Sequence, residues 1–305
     1  MKQRRERRIK DHADRGTREQ AERGPTKDHG GRGSGGTGGP VAAFRLVVEY
    51  DGTRFRGWQK QGEVQKARTV VGELSRAIAE SGFRVETLMG SGRTDTGVHA
   101  LGQVAHVHLR PPGPASPDDL RKALDKRLPP DVARGSLKGC APSFHARHDA
   151  LDRTYLYQLS RRPTAIGHAF AWHVDRPIDL ARLTAAWRAF EGFHDVSAFA
   201  LIEPGANPQC EMGRCEAAEA GALVLLRVTA SHFNRRQVRR MVGAAVRCGT
   251  GLDDPARVLR DLRNPTDQAA LYWGTQAAPP HGLFLERVRY PGDPALPAIA
   301  PVLRL

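Results

Sequence analysis

Between Met89 and Leu109 the chain reads MGSGRTDTGVHALGQVAHVHL, and this run constrains the fold more than any other. It follows a strand near Thr87, passes through a loop punctuated by Gly90, Gly92, Gly97 and Gly102, and resumes as a strand over 102–109. In that strand Val104, His106 and His108 alternate with Ala105, Val107 and Leu109. Glycine permits positive φ and close backbone approach, so the loop can fold tightly and present a single carboxylate, Asp95, two residues after Arg93. An isolated Arg-Thr-Asp triplet reads more simply as a turn cap beside a solvated arginine. An acid presented on a tight loop is instead a candidate nucleophile.

Strand and helix signals alternate on either side. The first portion reads as a strand over 43–50, a loop over 51–61 and a helix over 69–80. That helix has Thr69 as its cap and Val70, Val71, Leu74, Ala77 and Ile78 on one face; a second helix spans 118–127. A second portion follows a similar plan: strand 153–160, helix 179–190, strand 222–231, helix 234–248 and strand 282–290. In the helix over 234–248, Val238, Met241, Val242 and Ala245 predict a buried stripe that turns Arg235, Arg236, Arg239 and Arg240 toward other faces. Runs of strands mixed with helices predict an α+β fold with helices covering one sheet face.

Charge indicates the partner. With 47 Lys and Arg against 33 Asp and Glu the formal charge is +14, an excess that favours a polyanion, nucleic acid ahead of an anionic membrane. Residues 1–40 hold eleven basic and six acidic residues, with seven glycines between Gly30 and Gly39. Such a segment cannot bury enough surface to offset its ordering entropy and is expected to be a disordered arm. The remainder is basic without it. Six acids in that arm argue against a mitochondrial transit peptide, and neither a transmembrane run nor the apolar core of a secretory signal is found. A soluble, cytoplasmic protein is therefore expected. Cys140, Cys210, Cys215 and Cys248 form no Cys-x-x-Cys pair. Cys210 and Cys215, with His194 and His232, are the nearest approach to a metal set, and no metal is expected.

The longer pattern around Asp95 settles what the triplet leaves open. Arg93-Thr94-Asp95, then Gly97-Val98-His99-Ala100 and Gly102-Gln103-Val104, resembles the signature of the tRNA pseudouridine synthase A family. Further blocks resemble the same family in order: Tyr50-Asp51-Gly52-Thr53 with Phe55, Gly57-Trp58-Gln59 and Gln61; Phe144-His145-Ala146-Arg147; Arg153 and Tyr155; Gln237 to Gly243; and Ala278 to Leu283. The resemblance covers about 43–290. It implies two ferredoxin-like halves, 41–150 and 151–291, whose antiparallel sheets join beside a basic active-site cleft, with 292–305 as a Pro-rich tail. It also implies a homodimer acting on uridines 38 to 40 of the tRNA anticodon stem-loop without metal or organic cofactor.

Pseudouridine formation breaks the glycosidic bond of uridine, turns the uracil and rejoins it through carbon 5. It needs a carboxylate near sugar and base, a way to unstack the nucleotide, and a group to move protons. By the resemblance, Asp95 is the catalytic carboxylate, Arg239 the arginine paired with it, and Tyr155 the aromatic group against the target base. Arg93 would enter the space the flipped nucleotide leaves, where a planar cation can bond phosphate and stack on bases. Arg54, Arg56, Trp58, His99, His145 and Arg147 are further candidate RNA contacts. Read without the resemblance, Arg239 is one of several arginines on a solvated helix face, and Tyr155 is a packing residue on a strand.

The chain departs from the family pattern at Thr96, at Asn234 and over 203–215. Two rivals remain to be separated. A non-catalytic RNA-binding protein on the same fold has no need of acid, tyrosine and arginine together. A nucleotide-binding enzyme reading Gly90-Ser91-Gly92 as a phosphate loop fails because Asp95 occupies the sixth position and no Walker sequence occurs.

Overall fold

One sheet of eleven strands organises the computed structural model, which describes residues 41–59, 67–110 and 116–303. The basic arm over 1–40 and Gln61 lie outside the described residues. The first set of elements is β1 (Ala42–Tyr50), α1 (Val70–Ala79), β2 (Arg84–Gly90), β3 (His99–Arg110), α2 (Pro117–Arg127) and β4 (Val132–Gly139). Its strands lie β4-β1-β3 with β2 also on β3, and every pairing is antiparallel. The second set opens with β5 (Asp152–Ser160), β6 (Trp172–His173), α3 (Leu180–Arg188), β7 (Gly192–Asp195), β8 (Gln209–Met212) and β9 (Glu216–Ala220). It continues with β10 (Leu223–Ala230), α4 (Gln237–Gly249), α5 (Pro255–Arg263), α6 (Asp267–Thr275) and β11 (Leu283–Arg289). Here the order is β11-β5-β10, with β9 and β8 beyond β10 and β7 on β8. The two sets meet where β11 runs parallel to β3, Phe284 opposite His99 and Leu285 opposite Ala100.

Local signals explain most boundaries. Thr69 caps α1 by accepting from the Gly72 N–H, Asp179 caps α3 through Arg182, and Ser116 and Asp119 form a capping box on α2. On β1, Phe44, Leu46, Val48 and Tyr50 point inward onto α1 and α2 in period two. A second core lies around Trp187, Phe190, Phe199 and Trp273. Tyr155 packs against both. On the opposite side of β5, Leu156, Leu223, Leu225 and Phe284 are covered by Phe170, Ile299 and Val302, so the Pro-rich segment lies on the sheet. The Val302 N–H donates to Gln158 Oε1 at 2.7 Å.

Two expectations need correction. The late helix begins at Gln237, not 234, because Arg236 holds φ 61°, a left-handed conformation that cannot continue a helix. Arg240 is not on a solvated face. It is 5% exposed and donates to the Ala200 carbonyl at 2.9 Å, because α4 is enclosed by neighbouring elements as well as by the sheet. The strands β4 and β6 to β9 and the helices α5 and α6 were not expected. Among the described residues no helix is long and apolar enough to cross a membrane.

Candidate active site

The acid is presented by a loop with little freedom. Trp58 closes one side: a Cβ on Gly90 would sit 2.6 Å from its indole, and the Trp58 main-chain N–H donates to the Thr94 carbonyl at 3.2 Å. Gly97 turns the chain at φ 78°, and the Val98 N–H returns to the Asp95 carbonyl at 3.2 Å. Asp95 thus leaves the backbone between a held Thr94 and a tight turn.

The countercharge comes from the second set of elements. Arg239, in the first turn of α4, places a terminal guanidinium nitrogen 3.6 Å from Asp95 Oδ2. Its Nε donates to the Ala278 carbonyl at 2.7 Å, which orients the guanidinium plane. Burial draws this guanidinium below its ordinary range, and the charge of Asp95 acts in the opposite sense. Tyr155, on β5, packs its ring edge-on to Phe233 with centroids 5.2 Å apart. Burial first, and then the Asp95 carboxylate, push its phenol well above the ordinary value, so the O–H stays protonated at neutral pH.

Beneath them Arg153 is 9% exposed and donates to three main-chain carbonyls: Ser231 at 2.6 Å, Ser91 at 2.8 Å and Arg147 at 2.6 Å. It ties the acid loop to the strand end that precedes α4. Burial lowers its pKa from the usual guanidinium value.

These groups line a cleft of about 750 Å³. Arg93, Arg147, His148, Arg235 and Arg236 also line it, and only Asp95 and Glu203 among its lining residues are acidic. Of the residues singled out from sequence, the structure brings Asp95, Tyr155, Arg239, Arg93, Arg147 and Trp58 to this cleft, with Trp58 as a wall residue only 1% exposed. Arg54 and Arg56 are exposed on the first loop and do not line it. His99 does not either. It is 1% exposed, accepts the Gly52 N–H at Nδ1 and faces the carbonyls of Ala169 and His281 with Nε2. His145 accepts the N–H groups of Arg147 and His148 at Nδ1, shaping the turn that carries Arg147. Sequence reasoning passed over Arg153 as a site residue, and also His148 and Phe233. The signal for Arg153 was its place two residues before Tyr155, on the same strand face.

The Cys210 thiol donates to the His232 carbonyl and His194 Nε2 faces the Glu191 carbonyl. Among the described residues no group of three or more His, Cys, Asp or Glu is arranged to hold a metal.

A family model described as tRNA pseudouridine synthase matches residues 46–149 and 186–291, which carry Asp95 and Arg239. Among curated proteins, tRNA pseudouridine synthase A of Methylobacterium sp. (strain 4-46) is 39% identical over 254 residues, spanning 81% of this chain and 97% of the relative. The protein of the same name from Methylacidiphilum infernorum is 36% identical over 260 residues, 83% of this chain and 97% of the relative. The chain belongs to the tRNA pseudouridine synthase family.

Proposed function

We propose that this protein isomerises uridine to pseudouridine in tRNA. The observation that carries the reading is the Asp95–Arg239 pair, 3.6 Å apart and contributed by different sets of elements, beside Tyr155 in a basic cleft. The reaction breaks the N1–C1′ bond and forms C5–C1′; the hydrogen on C5 departs as a proton and N1 gains one, so nothing is oxidised and no water is consumed. Asp95 is the ionised carboxylate at the sugar and base, and Arg239 stabilises that charge when water is excluded. Tyr155 offers a flat surface for an unstacked uracil, a contact worth about 1–3 kcal/mol, and a protonated phenol as hydrogen-bond donor. Arg93 and Arg147 meet the RNA backbone at the rim.

On this reading the target uridines are those at positions 38 to 40 of the anticodon stem-loop, and two subunits share one tRNA. Each set of strands forms a ferredoxin-like half, 41–150 and 151–291; the strand orders β4-β1-β3-β2 and β11-β5-β10-β9 support this. Tritium release from a tRNA transcript labelled at carbon 5 of uridine tests the activity. Wild type should release tritium and Asp95→Ala should not. A protein that binds the transcript yet releases none would be an RNA-binding protein on the same fold.

A further inference from the structure

We propose that Gln103 and Tyr50 are positioning residues that set where the Asp95 carboxylate sits; the inference rests on the isomerase reading above. Both are polar groups buried on core strands: Gln103 on β3 is 0% exposed and Tyr50 on β1 is 3% exposed. A buried amide or hydroxyl is costly unless every polar atom is bonded, and the partners here are concentrated in one place. Gln103 Oε1 accepts from the Ser91 hydroxyl at 2.8 Å and from the Val104 N–H at 3.2 Å, while its Nε2 donates to the Gly92 carbonyl at 3.0 Å. The Tyr50 hydroxyl lies 2.8 Å from Thr94 Oγ1.

Of the four residues that precede the acid, three are therefore held by these two side chains. The fourth, Arg93, is exposed and lines the cleft. Apart from the Val104 N–H, every one of these hydrogen bonds goes to the segment that carries the acid, so what the two polar groups hold is the loop. The Asp95–Arg239 separation of 3.6 Å exceeds a hydrogen bond, so its geometry is imposed by the two backbones and not by its own closure. Whatever fixes residues 91–94 fixes the carboxylate against the guanidinium.

The test uses Tyr50→Phe, which removes one oxygen, Gln103→Met, which keeps side-chain length, and their combination. Three quantities are measured on the full chain: single-turnover tritium release at saturating enzyme, the dissociation constant for the same transcript by filter binding, and Tm. Because a displacement near 1 Å can cost about 100-fold in rate, we expect each single variant to lose about tenfold and the double about 100-fold. The dissociation constant should stay within about twofold, since the rim arginines are untouched. Adding Ser91→Ala to Gln103→Met should cost nothing further, because its partner is already gone. Wild-type rates in both single variants would overturn the inference, and so would a rate loss matched by equal loss of binding or of folded protein. A wild type that releases no tritium would instead remove the isomerase reading on which it stands.

Discussion

Arg239→Gln tests the charge pair with the least disturbance around it. Glutamine is neutral and retains a donor for the Ala278 carbonyl, which alanine would abandon. Two unit charges 3.6 Å apart attract by about 4–5 kcal/mol at an effective dielectric near 20. Both side chains keep some solvent contact, 17% and 23%, so water replaces part of that attraction in the resting enzyme. Once RNA covers the cleft that replacement is lost, and removing one preorganised cation from a closed site costs about 3–4 kcal/mol, or roughly 100- to 1,000-fold in rate. The assay is single-turnover tritium release with enzyme saturating over the transcript, so that weakened binding does not register as slow chemistry. Arg239→Lys keeps a charge but not a plane held by the Ala278 carbonyl, and should fall between wild type and glutamine. A rate within threefold of wild type in Arg239→Gln, with the protein folded, would refute the role assigned to the pair.

Three further outcomes follow from contacts at and beyond the site. Arg153→Met removes the donor to three carbonyls and should lower stability by about 3 kcal/mol or more, with Tm falling further than in Arg147→Met, which loses only an exposed side chain. Gly243→Ala would place its Cβ 1.8 Å from the Gln276 carbonyl oxygen, so about 3 kcal/mol and a Tm drop of about 6–12 °C are expected; an unchanged Tm would show that the 276–278 segment yields freely. His106 accepts the Ala146 N–H at Nδ1, and burial, then the neighbouring His145 and His108, hold its pKa below the ordinary value. The unfolded ring takes up its proton first, so this contribution is complete above about pH 6.5 and declines as pH falls through that value toward the folded pKa. The urea midpoint should therefore fall more between pH 7.5 and 5.5 in wild type than in His106→Gln, and equal slopes would exclude His106 as the cause.

Sequence carried the elements whose signals are local. Thr69, Asp179 and the apolar stripe of α1 announce their helices, while the period-two run over 42–50 and the near-continuous apolar run over 223–230 announce strands. EAAEA carries no such pattern and the alternation of QCEM spans only four residues; pairing with β10 makes a strand of the first, and pairing chiefly with β7 makes a strand of the second. Helix α5 escaped notice although Asp254 and Pro255 form a recognisable start. Within the site, Asp95, Tyr155 and Arg239 were legible through motif resemblance and not through periodicity, which put all the arginines around 235–240 on outward faces. What periodicity cannot see is enclosure: it ranks one helix face against another, and α4 is covered on nearly every side.

His99 shows where the motif and the cleft part company. It sits in the same run as Asp95 but is turned inward at the seam where β11 meets β3 through two residue pairs. A parallel contact that short cannot by itself hold two cores in register, and His99 reinforces it from both directions. Its ring stacks on Phe284 at 4.8 Å, Nδ1 accepts from Gly52 of the first set, and Nε2 reaches the carbonyls of Ala169 and His281 of the second. Burial draws its pKa down, so the neutral ring with its proton on Nε2 is the form that satisfies all these partners. Arg153 spans the same seam closer to the acid. The distance from Asp95 to Arg239 is therefore a property of the joint between the two sets of strands, and any change that loosens His99 or Arg153 must reach the carboxylate without touching it.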